Sequence, residues 1–136
     1  MSTYLINHLR IPGGIPNDEG LTYLERVDAT LRPYGGTWLA NGEPTVVEGA
    51  WPGLVVLLEF PDRAAAQDWY NSPEYQEILP LRTRNAISDL VLIDGLPADY
   101  TVAGFARQVR ASLAGASGAS GVSGASGASG ASGADG

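Results

Sequence analysis

Cysteine and lysine are both missing from this chain, and histidine occurs once. Without cysteine there is no disulfide, no thiolate nucleophile and no cysteine zinc site, and the composition suits a reducing cytoplasm. One histidine gives too few ligands for a mononuclear metal site, so no metal and no cofactor is expected. The eight basic residues are all arginine and face fifteen acidic ones, a net charge of −7. No basic stripe exists to neutralise phosphates, which argues against nucleic-acid binding. The N-terminus, MSTYLINHLR, has no basic segment followed by a long apolar core, so neither a signal peptide nor a membrane span is expected.

From Ala114 to Gly136 the chain lacks proline and large side chains and reads AGASGASGVSGASGASGASGADG. Collagen needs abundant proline, and a Gly/Ala/Ser tract cannot bury enough apolar area to offset ordering entropy. A flexible tail is expected, with a span of about 25–30 Å as a coil. One domain over residues 1–97 remains, with an extra helix possible over 98–113 on a stripe of Phe105, Val109 and Leu113.

The richest segment is Leu54–Arg82, LVVLLEFPDRAAAQDWYNSPEYQEILPLR. An apolar run predicts a strand over Leu54–Phe60, Asp62 caps a helix through Tyr70, and Ser72-Pro73 starts another that Pro80 interrupts, with Leu81–Asn85 as its possible continuation. Upstream, Thr3–Leu9 reads as a first strand. Leu21, Leu24, Val27 and Leu31 recur at helical spacing behind Asn17-Asp18. Thr37–Ala40 and Thr45–Glu48 read as strand pieces around the turn signal Asn41-Gly42, and Asp89–Ile93 as the last strand. The order βαββαβ predicts an α+β, ferredoxin-like sandwich: an antiparallel sheet in order 4-1-3-2 with both helices on one face. The strand Leu54–Phe60 is apolar on both faces, Leu54, Val56, Leu58 and Phe60 on one and Val55 and Leu57 on the other. Helices cover only one of them, and the simplest cover for the other is a second copy, so a homodimer is expected.

Tyr4–His8, Tyr34-Gly35-Gly36, Val47-Glu48-Gly49, Leu58–Pro61, Trp69–Tyr75, Leu81-Arg82 and Asp89–Leu92 together resemble the bacterial family called "domain of unknown function 1330" over residues 3–96. The resemblance implies the dimeric α+β barrel superfamily. That superfamily holds cofactor-free monooxygenases, lactone isomerases and polyketide cyclases, haem enzymes, and members of no known activity, so fold does not settle function. Thr37 stands where the family often carries Arg after Gly-Gly, and Gly53-Leu54 where it often has basic residues after Trp-Pro. Any anion-binding role of those positions is weakened here.

For chemistry, His8 shares a strand face with Tyr4 and Ile6, and pairing with the last strand sets it beside Asp89. It reads either as a general base oriented by Asp89 or as a structural histidine at a strand end. Glu59 on the open face is expected to be desolvated and raised in pKa, either as a general acid or base or as the partner of Tyr4. Trp69 reads as core; Trp38, Tyr70 and Tyr75 are candidates to rim a pocket. Arg82 is expected to pair with Glu74 or Glu77 or meet the dimer partner, with anion binding as its alternative. No phosphate loop and no Gly-x-Ser-x-Gly elbow is present. Two functions stand open: a barrel binding a small, partly apolar organic molecule, with His8, Glu59 and Tyr4 moving protons without a cofactor, or a non-catalytic dimeric module.

Overall fold

The computed structural model describes residues 1–115, and the expected flexible tail lies almost wholly outside them. The chain divides into two units, Met1–Gly95 and Leu96–Gly136. The first holds strands β1 (Thr3–Arg10), β2 (Thr37–Gly42), β3 (Leu54–Phe60) and β4 (Ile87–Asp94), with helices α1 (Asp18–Leu31), α2 (Arg63–Tyr70) and α3 (Pro73–Thr83). The sheet order is β2-β3-β1-β4 and every pairing is antiparallel, which is the α+β ferredoxin-like arrangement read from the sequence. In the second unit α4 spans Val102–Gly115, its first turn tied by the Gly104 N–H to Thr101 Oγ1 at 3.0 Å.

Strand parity sets the core. Thr3, Leu5 and Asn7 of β1 and Val56, Leu58 and Phe60 of β3 are buried on the helix side. Val27 and Leu31 of α1, Ala66 and Trp69 of α2 and Tyr75 and Ile78 of α3 close over them. Each helix starts where the sequence provides an acceptor: Asn17, Asp62 and Ser72 take the N–H groups of Gly20, Ala65 and Tyr75. Gly35 ends the turn after α1 in the left-handed region at φ 73°. At Gly36 a Cβ would stand 2.6 Å from Leu31 Cδ2 and 2.9 Å from Phe60 Cε1, so a larger residue would displace these two core side chains.

Two expectations are corrected. Residues 45–48 are not a strand: Asn41 and Gly42 stay in the ladder opposite Val56 and Val55, and the chain then leaves the sheet as a loop with Val47 95% exposed. The pairing with β3 overrides the local turn preference, and Pro44 has no N–H to extend it. Nor does Pro80 interrupt α3, which runs through it to Thr83. Pro80 and Gln76 both lie on the exposed side, so the Gln76 carbonyl that the proline leaves without an N–H partner is not sealed in the core.

Candidate functional site

Between α1, α3 and the covered face of the sheet lies a cleft of two adjoining chambers that share Leu9, Tyr23, Leu24, Asn41 and Arg82 as lining. The outer chamber, about 230 Å³, is walled mainly by aliphatic side chains, among them Ile11, Leu54 and Leu81. Its rim is a polar clasp between the start of α1 and the end of α3. Asn17 Nδ2 donates to Asn85 Oδ1 at 2.6 Å, and Glu19 accepts from Arg84 at 2.8 Å and from Asn85 at 2.9 Å. Those two donors, Arg84 foremost, hold the Glu19 carboxyl below the usual carboxylate range.

The inner chamber, about 50 Å³, is polar on one side. Helical spacing sends Tyr23 inward with Val27, and Tyr75 with Ile78 and Arg82. The Tyr23 and Tyr75 hydroxyls meet at 2.8 Å, and an Arg82 Nη2 N–H donates to Tyr75 Oη at 3.3 Å. The Arg82 guanidinium carbon stands 5.9 Å from the centre of the Tyr23 ring. Asn7, 6% exposed, brings its amide to the same chamber with Oδ1 unpaired. Burial first, then the neighbouring Tyr75, pushes the Tyr23 phenol well above its ordinary value, so it stays a neutral donor. Trp69 is core, as read from the sequence. Its ring centre lies 4.1 Å from that of Tyr75, and its Nε1 donates to Thr30 Oγ1 at 3.0 Å. None of the residues lining the two chambers carries a carboxylate or an imidazole. The carboxylate on the rim is Glu19, already engaged by Arg84 and Asn85.

The sequence-derived site residues divide between the two faces of the sheet. Tyr75, Arg82 and Trp38 line the inner chamber. Tyr70, 37% exposed, borders a separate hollow between α2 and β4. His8, Tyr4, Glu59 and Asp89 lie on the open face. Tyr4 is opposite Glu59 and His8 is opposite Asp89, the cross-strand register anticipated from alternation.

That register does not bring His8 and Asp89 into contact. Arg10 stands between them, donating to Asp89 Oδ2 at 2.6 Å and to His8 Nδ1 at 2.8 Å. An arginine can only donate, so Nδ1 is the acceptor and Nε2 carries the proton, which goes to the Pro52 carbonyl at 2.6 Å. Trp51 covers the imidazole at a ring separation of 4.2 Å. Both nitrogens are engaged, and the hydrogen bond and charge of Arg10 hold the Asp89 carboxyl below its ordinary range. No hydrogen bond joins Tyr4 to Glu59 among the described residues. Arg82 departs from expectation as well: it pairs with neither Glu74 nor Glu77. Both acids face outward, Glu77 toward Arg26 at 3.7 Å, while Arg82 shares the buried face of α3.

Asn7 and Tyr23 were missed in the sequence, although both carry a signal. Asn7 is the one amide on the core-facing parity of β1, between Leu5 and Leu9, and Tyr23 stands four residues before Val27.

A helix-covered antiparallel sheet in the order β2-β3-β1-β4 defines the ferredoxin-like α+β class. The chain belongs within it to the family described as "Domain of unknown function (DUF1330)", which it matches over residues 2–96. Among solved structures it is similar to a protein of unknown function from Rhodopseudomonas palustris, with 18% identity, 71% of this chain and 83% of that one covered, and a TM-score of 0.56. HapK from Hahella chejuensis follows at 17% identity, 75% and 99% covered, TM-score 0.52. An uncharacterized NIPSNAP domain protein from Burkholderia xenovorans gives 16%, 74% and 98%, and 0.50. At these identities the likeness is one of fold. Comparison with the curated proteins finds no match. Among the described residues no cluster of His, Cys, Asp and Glu could hold a metal ion, and no helix is long and apolar enough to cross a membrane.

Proposed function

We propose that this protein is a cytoplasmic homodimer that binds a small, partly apolar organic molecule in the cleft between α1, α3 and the sheet. The observation that carries the reading is the two-part cleft, an aliphatic outer chamber of about 230 Å³ leading to an inner one of about 50 Å³ where Asn7, Tyr23, Tyr75 and Arg82 converge on a largely apolar wall. Ligand sites are mostly apolar concavities with a few convergent polar groups, and this cleft has that composition. Binding is favoured over proton-transfer catalysis because His8 and Glu59, the groups able to take a proton, lie on the opposite face of the sheet. His8 there has both nitrogens occupied.

A fragment screen read by amide chemical shifts tests it. Apolar fragments of benzene size should move the resonances of Leu9, Gly20, Leu24 and Asn85. Leu24→Trp, which fills the outer chamber with an indole, should abolish the shifts without lowering the melting temperature. Shifts clustered instead on His8, Val55 and Glu59 would move the site to the open face and overturn the assignment.

A further inference from the structure

We infer that the molecule held in this cleft is an organic carboxylate, its acid group on Arg82 in the inner chamber and its apolar body in the outer one. The inference rests on the cleft reading above and adds the chemical class of the ligand. Arg82 is only 8% exposed, and a buried guanidinium is costly without a counter-charge. Among the described residues no carboxylate pairs with it: Glu77 is turned to Arg26 and Glu19 to Arg84. The guanidinium has five N–H donors; among the described residues they meet only the two phenols, Tyr75 Oη at 3.3 Å and Tyr23, whose ring centre is 5.9 Å from the guanidinium carbon. The planar fork is therefore left with donors to offer, in the geometry that takes a carboxylate through two parallel bonds.

The surroundings match the same group. The Tyr23 hydroxyl, 2.8 Å from that of Tyr75, is a neutral phenol able to donate to an anion. Asn7 supplies an amide whose oxygen lacks a partner, and turning that amide over presents its NH2 to the same space. Size agrees too. The inner chamber of about 50 Å³ takes a group of one to two waters' volume, at about 30 Å³ per water. The outer one, about 230 Å³, exceeds the roughly 150 Å³ that encloses benzene. An aryl or medium alkyl body fits it.

Calorimetric titration of the full-length protein with phenylacetate and hexanoate, beside phenylacetamide, hexanol and inorganic phosphate, tests the inference. The two acids should bind about 10- to 100-fold more tightly than their neutral counterparts, the range expected of hydrogen bonds to a charged group. Arg82→Met, which keeps the side chain's length and removes the buried charge, should erase that preference while leaving hexanol binding in place. Should the neutral compounds bind as well as the acids, the cleft reading survives and the carboxylate inference falls. Should phosphate bind as tightly as phenylacetate, the apolar chamber plays no part and the organic acid is excluded. Binding by none of the five removes the cleft reading itself. The wild-type comparison decides these outcomes even if Arg82→Met fails to fold.

Discussion

Tyr23 shows how one residue's ionisation follows from where its helix places it. The phenol is carried into the seam between α1 and α3 and meets Tyr75, and burial raises its pKa above the value near 10 of a free tyrosine. A group whose folded pKa is raised stabilises the fold fully below its unfolded pKa, and that contribution is lost as pH climbs beyond it. The window therefore opens near pH ~10 and extends upward. In an absorbance titration of the six tyrosines, a fraction including Tyr23 should ionise only together with alkaline unfolding. Tyr23→Phe should shrink that delayed fraction and flatten the alkaline loss of stability. Full ionisation of the wild type before it unfolds would contradict the burial of this phenol. Legibility at this scale was uneven. Parity placed Tyr4 opposite Glu59 and His8 opposite Asp89, yet could not foresee Arg10 reaching between strands to separate the last pair. Long side chains choose partners by geometry that spacing does not encode.

Ser72 joins two elements and makes the strongest case for a local signal read correctly. Its Oγ accepts from the Tyr75 N–H at 3.2 Å, starting α3, and donates to the Trp69 carbonyl at 2.7 Å, closing α2. The residue is buried, so losing the hydroxyl orphans the Tyr75 N–H where water cannot readily reach it and leaves the Trp69 carbonyl only its 3.1 Å bond from the Ser72 backbone N–H. Ser72→Ala should cost about 2 kcal/mol in urea unfolding, while Asn17→Ala, at an exposed cap, should cost nearer 1 kcal/mol. Equal losses would mean the buried bonds add nothing beyond capping. Elements bounded by such caps or by long apolar runs were readable from the sequence: α1, α2, β3 and the start of α3 all begin where predicted. The misreadings fell where tertiary context decides. Asn41-Gly42 pairs with β3 instead of turning, and Pro80 is tolerated because its missing bond faces water. The cleft was half legible for the same reason. Tyr75, Arg82 and Trp38 could be named, but that they share a chamber with Asn7 and Tyr23 depends on how α1 and α3 pack.

For the molecule as a whole, the open face of the sheet sets the next test. Its central row runs Val91, Ile6, Leu57, Ala40 across all four strands, and Ile87 and Val91 are each 56% exposed with Ile93 at 54%. Such a sheet face, apolar through its middle and polar toward its ends at Arg10, His8 and Asp89 and at Tyr4 and Glu59, is what two subunits bury when sheets pack face to face. A stable interface needs about 800 Å² from each partner. Light scattering at micromolar concentration should therefore give twice the 14.2 kDa chain mass. Leu57→Asp, near the middle of the row, would bury an unpaired carboxylate and should return the mass to that of one chain, the penalty being several kcal/mol. Val47→Asp, in the exposed loop before β3, should leave the mass doubled. A wild-type monomer would remove the homodimer from the proposal but leave the ligand cleft standing, because α1, α3 and the sheet of a single chain line both of its chambers.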